Sequence, residues 1–196
     1  MRTVSAAIAG VSLFSTLLLA AGPVRKAPEL AFTVPGQGQK LLSEYHGKVV
    51  ALEFIFTTCP HCQAASKVMT KLQAEYGPRG LQVIDVAVNP NADLLVENFS
   101  RDFQVNFPVG WTPSNEMLAF MGFSDGRYVV PQLVLIDRKG YIHYQTPPKE
   151  NDDWDKLMKE DAIRQHIEEL LSSGNASASG RSSSGSSRVA MAKKGS

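Results

Sequence analysis

Val49-Val50-Ala51-Leu52-Glu53-Phe54-Ile55-Phe56-Thr57-Thr58-Cys59-Pro60-His61-Cys62 is the stretch whose reading sets the fold. From Val49 to Phe56 it is a nearly unbroken apolar run of strand length, rich in β-branched and aromatic residues, the pattern of a central strand covered on both faces. Beyond the cysteines, Ala64, Ala65, Val68, Met69, Leu72 and Tyr76 recur at helical spacing, and Gly77-Pro78 is a stop signal. A strand therefore feeds a helix, with Cys59 and Cys62, the two cysteines of a 196-residue chain, at the joint.

A bridge between residues this close removes little entropy from the unfolded chain, so stability does not explain the pair. Redox chemistry does. Unpaired amides and the macrodipole at a helix start favour negative charge, so Cys59 is expected to hold a thiolate and act as nucleophile. Pro60 suits the first helical position, where its missing donor goes unused, and a protonated His61 adds a positive neighbour. Cys62, one turn further in, is expected to be more buried and to resolve a mixed disulfide from inside. A zinc half-site is the competing use of Cys-x-x-Cys, but there is no second cysteine pair, and His46, His143 and His166 are scattered singly. No metal and no cofactor is expected.

Working outward, Leu81 to Val88 reads as another strand, followed after Asn89-Pro90 by a helix to about Phe103. Residues 107–122 add a short strand and a helix. Val129 to Asp137 is an apolar strand with Pro131 at its start, an edge or entry position because proline removes a ladder donor. Asp137-Arg138-Lys139-Gly140 turns the chain into Tyr141-Ile142-His143-Tyr144, completing a hairpin. One last helix, with Trp154, Leu157, Ile163, Ile167 and Leu170 on one face, is expected to cover the sheet. Alternation of strands and helices predicts an α/β fold with one core. A formal net charge of +1 gives no reason to expect nucleic acid as a partner.

These motifs resemble the thioredoxin superfamily and, within it, the secreted TlpA-type thiol-disulfide oxidoreductases related to redoxins of the AhpC/TSA kind. The likeness runs from about Ala27 to about Leu171. Pro28-Glu29-Leu30 with Leu41 to Val50 resembles that family's opening, and Cys59-Pro60-His61-Cys62 is the strand-Cys-x-x-Cys-helix unit. The resemblance implies a thioredoxin-like fold: a central mixed β-sheet flanked by helices, an N-terminal β-hairpin extension and a short insertion before the strand that carries a cis-proline. It implies that Val130-Pro131 is that cis bond, packed beside the cysteines and offering backbone groups to an extended substrate. Thioredoxins carry a buried acid six positions before the first cysteine, where this chain has Glu53. A carboxylate inside an apolar strand is costly to ionise, so Glu53 is expected to titrate high and to take the Cys62 proton; the alternative is that it faces solvent at a strand edge.

The partners implied are cysteine-containing protein substrates and a redox partner protein. Pro60-His61 and Val130 match DsbA, which implies an oxidising tendency, whereas the segment lengths resemble TlpA-type proteins, which are usually reductants. Two other functions share such a fold. A peroxiredoxin-like peroxidase needs a proline seven residues and a threonine three residues before its cysteine, where this chain has Leu52 and Phe56. A Sco-like copper chaperone normally spaces its cysteines by three residues, with His143 as the candidate third ligand here.

Residues 1–22, with Arg2, an apolar run and Ala20-Ala21-Gly22, read as a signal peptide or N-terminal anchor, which places the domain in the periplasm or outside the cell. The membrane is a partner only if that segment is uncleaved. Residues 23–172 form the predicted domain, and 173–196, dominated by Ser, Gly and Ala, read as a disordered tail.

Overall fold

The computed structural model describes residues 23–124 and 126–179. The predicted signal peptide and most of the predicted tail lie outside them. Val49–Ile55 forms β4, and all seven of its residues are buried. Its alternate side chains enter two separate apolar clusters. Val49, Ala51 and Ile55 point one way, while Val50, Leu52 and Phe54 point the other, as the two-residue period of a strand requires.

Around β4 the chain adds β1 (Arg25–Lys26), β2 (Ala31–Val34), β3 (Gly38–Leu41), α1 (Pro60–Tyr76), β5 (Leu81–Ala87), α2 (Ala92–Asp102), β6 (Val109–Trp111) and α3 (Ser114–Met121). It closes with β7 (Gln132–Ile136), β8 (Tyr141–Gln145), α4 (Asp152–Leu157) and α5 (Glu160–Ser179). The sheet order is β1-β8-β7-β4-β5-β6-β2-β3. β4 runs parallel to β5 and antiparallel to β7, so the sheet is mixed and β4 lies inside it. Residues of α1, α2 and α5 cover the face reached by Val49, Ala51 and Ile55, and residues of α3 cover the opposite face. This is an α/β thioredoxin-like fold.

The structure places the N-terminal hairpin and changes one expectation, that of a single last helix. The N-terminal hairpin β2–β3 does not lie beside the strand it precedes; Thr33 pairs with Trp111, which puts the hairpin at the far edge of the sheet, beyond β6. Gly110 admits that pairing, because a Cβ there would come within 2.8 Å of the Thr33 carbonyl oxygen. The last helix is two helices. Trp154 and Ile163 are nine residues apart, about half a turn out of phase at 100° per residue, so one straight helix cannot bury both. The break at Met158-Lys159 leaves Trp154 and Ile163 both buried. The second of the two, α5, runs from Glu160 to Ser179. Ser172 and Ser173 donate their hydroxyls back to the carbonyls of Glu168 and Leu170.

Candidate active site

Cys59 caps α1. Its backbone is extended, at φ −83° and ψ 120°, and its Sγ accepts a hydrogen bond from the Cys62 amide at 3.4 Å. The Gln63 amide donates to the Cys59 carbonyl at 3.0 Å, as the first bond of a helix should. Cys59 is half-buried, Cys62 is fully buried, and both are free thiols. Pro60 and His61 lie exposed on the first turn. Burial is the main cause that pushes the Cys62 thiol well above its ordinary range, and the charges of Cys59 and Glu53 add to it.

Two loops hold this turn. The Asn89 side chain, at the end of β5, accepts from the Thr57 amide at 2.9 Å, and the Gln63 amide group donates to the Thr57 carbonyl at 3.1 Å. Opposite them, the Val130–Pro131 bond is cis, and the Val130 carbonyl oxygen lies 3.9 Å from the Cys59 Sγ. Pro131 is buried. Gln132, fully buried, donates from Nε2 to the carbonyls of Val129 and Pro147 at 2.9 and 3.2 Å, and Thr146 Oγ1 accepts from the Leu133 amide at 3.0 Å. The proline loop is thus tied from beneath by an amide whose hydrogen bonds are sheltered from water, where losing one would cost about 1–3 kcal/mol.

Beneath the turn, Glu53 is fully buried on the same side of β4 as Ala51 and Ile55. The strand-edge alternative does not apply. Asp85, also fully buried, is its register partner on β5. Ser66, one turn beyond Cys62 on α1, donates its hydroxyl to Asp85 Oδ2 at 2.6 Å. Burial pushes the Glu53 carboxyl well up, and the neighbouring Asp85 charge pushes it further. Burial also raises Asp85, to about 7, with the Ser66 hydroxyl and a hydrogen bond with Glu53 restraining the rise.

Sequence reading brings Cys59, Cys62, Glu53, Pro60, His61, Val130 and Pro131 into view, and in the structure they surround one turn. It misses Asp85, Ser66, Asn89 and Gln132. For Asp85 the signal was present: Val83-Ile84-Asp85-Val86-Ala87 holds an acid within an apolar strand, just as Glu53 stands within its own. His143, the proposed copper ligand, instead faces Asp137 Oδ2 at 3.0 Å, at the turn of the hairpin that lies away from Pro131. Among the described residues, no three His, Cys, Asp or Glu side chains gather as a metal site.

A strand ending in Cys-x-x-Cys at a helix N-terminus, facing a cis-proline loop across a mixed sheet, defines the thioredoxin-like class. Residues 23–145 match the AhpC/TSA family, and the chain belongs to that family. Its TlpA-type character is supported by relatives named thiol-disulfide oxidoreductase ResA. The protein of Bacillus thuringiensis is 28% identical over 119 residues, 60% of this chain and 65% of that relative, so the match spans just under two thirds of the relative's length. That of Geobacillus thermodenitrificans is 27% identical over 144 residues, covering 74% of this chain and 75% of its own. Among solved structures, a chain described as thiol:disulfide interchange protein DsbE from Chlorobium tepidum superposes with a TM-score of 0.60 at 27% identity, over 74% of this chain and 95% of its own.

Proposed function

We propose that the protein is a thiol-disulfide oxidoreductase that exchanges a Cys59-Cys62 dithiol or disulfide with cysteine-containing protein substrates outside the cytoplasm, and is turned over by a redox partner protein. One observation carries this reading: a reachable sulfur caps α1 beside the Val130 carbonyl, while its mate is sealed behind it. The Cys62 amide proton is directed at Cys59 Sγ, the sulfur that as thiolate would attack a disulfide.

In the reducing direction, the Cys59 thiolate attacks a substrate disulfide and forms a mixed disulfide while one substrate sulfur leaves. Cys62 then gives up its proton, attacks Cys59 and releases the second substrate sulfur as a thiolate. The oxidising direction is the reverse. Glu53 moves the Cys62 proton, the exposed His61 lends charge near Cys59 when protonated, and Val130-Pro131 receives the extended substrate by backbone pairing. The likeness to proteins named ResA and DsbE favours this reading over peroxide reduction or copper transfer. Location in the periplasm or outside the cell is supported by the apolar segment after Arg2. Among the described residues, no helix is long and apolar enough to cross a membrane.

The test is trapping. Cys62→Ser in the full chain should leave Cys59 joined to its natural partners as mixed disulfides that reductant dissolves, and mass spectrometry identifies them. Recovery of no Cys59-linked protein by this variant, from cells in which it is exported, refutes the proposal.

A further inference from the structure

We propose that Asp85, held by Ser66, forms with Glu53 a two-carboxylate proton store, so that the proton leaving Cys62 during resolution is taken up by the pair and not by Glu53 alone. This rests on the redox reading above and deepens it.

The geometry leads to a shared proton. Glu53 and Asp85 occupy paired positions on adjacent parallel strands, and both are completely buried. Ser66 satisfies Asp85 Oδ2 at 2.6 Å. Apart from the other acid of the pair, no donor among the described residues reaches either Glu53 oxygen or Asp85 Oδ1. Two adjacent bare carboxylates in an apolar layer are too costly to coexist, so one acid keeps a proton and donates it to the other. Ser66 decides which one: its hydroxyl stabilises charge on Asp85, which leaves the proton on Glu53. Glu53 is also the member of the pair that interacts with Cys62.

Other titratable groups near the pair are few. α1 contributes Cys62, with Cys59 above it. α2 and α5 contribute apolar side chains to this layer, among them Val96, Ile163 and Ile167, and β7 contributes Leu133. His166 of α5 is turned to the Tyr144 ring and to Glu169. No lysine occupies the strand position opposite Glu53, because Asp85 is there.

A consequence follows for the resolving step. A Glu53 that already carries a proton cannot accept another at the oxygen it uses for Asp85 unless its own proton moves on. The Cys62 S–H bond breaks and its proton goes to Glu53, while the Glu53 proton passes to Asp85. The Cys62–Cys59 disulfide forms, and the bond from Cys59 to the substrate sulfur breaks with that sulfur leaving as thiolate. The two cysteines are oxidised, the substrate disulfide is reduced, and the acid pair goes from one negative charge to none. In the oxidising direction the pair returns the proton. Asp85 and Ser66 are positioning residues, since they act through Glu53.

The experiment follows a mixed disulfide formed between the full chain and oxidised glutathione, acid-quenched and resolved by mass spectrometry, across pH. In wild type the resolution rate should rise through a step near the Asp85 value of about 7. Ser66→Ala removes a hydrogen bond to the charged form, so the step should move upward, by about one pH unit. Asp85→Asn should abolish the step at that position, and in both variants alkylation of Cys59 by iodoacetamide should stay within about twofold of wild type, as the helix start is untouched. Profiles of Ser66→Ala and Asp85→Asn that superimpose on wild type, with resolution intact, overturn the proton store and leave the redox reading standing. A wild-type chain that forms no mixed disulfide at all overturns the redox reading and the proton store together.

Discussion

The two faces of the β4–β5 pair differ in what they bury. On one, Val50, Leu52, Phe54, Ile84 and Val86 are all apolar and packed with Phe120, Met117, Leu30 and Phe32. On the other, Val49, Ala51, Ile55, Val83 and Ala87 surround Glu53 and Asp85. Register is common to both faces, because the same two strands supply alternate side chains to each. The first face serves stability, since each fully buried Leu, Ile or Phe contributes about 1.5–3 kcal/mol. The second gives up part of that gain to hold two acids below the resolving cysteine. Burial of ionisable groups at such a cost is expected where their titration is used.

This contrast can be broken from either side. The largest effect is expected on the apolar face: Phe54→Ala, deleting a fully buried ring that meets Phe120 edge-on at a centroid distance of 5.7 Å, should destabilise the domain by about 3–5 kcal/mol at every pH. Denaturant unfolding of the reduced protein measures it, and a loss under about 1 kcal/mol would mean that face is not the main support of the fold.

On the polar face the effect should depend on pH. Glu53 and Asp85 titrate higher when folded than when unfolded, so between those values the folded state binds the extra protons. Stability should therefore be greatest in mild acid and fall as pH rises from about 4 toward 7, by up to about 1.4 kcal/mol per unit for each group. The double variant Glu53→Gln with Asp85→Asn should flatten that slope. Parallel stability curves for variant and wild type across this range would show that the acids are not strained by burial. The smallest effect is expected for Ile84→Val, beside Asp85 but on the apolar face: about 0.5–1.5 kcal/mol, with the slope unchanged. A changed slope there would mean that the two faces are coupled through the sheet.

Legibility in the sequence followed the range of the interaction. The helix predicted between the cysteines and Gly77-Pro78 is α1, Pro60–Tyr76, because its apolar spacing, its proline at the first position and its stop signal are all local. Glu53 stood out because an acid interrupted a single strand. Asp85 carried the same signal, but its pairing with Glu53 joins residues 32 apart, and parallel register is set by packing of the intervening helix, not by any local rule. Gln132 and Asn89 were likewise silent. Each acts by hydrogen bonds to loops distant in the chain, at Pro147 and Thr57.

By itself, the sequence determined the strand-to-helix joint, the placing of one sulfur at a helix start and the other inside it, and the α/β alternation, because each depends on periodicity and on end signals within a few turns of chain. Tertiary structure alone decided that the N-terminal hairpin joins β6 at the sheet's far edge, that the last apolar stretch folds as two helices, and that a serine and two acids meet under the cysteines. Those outcomes depend on which surfaces can be buried together, and burial is a property of the whole packed chain.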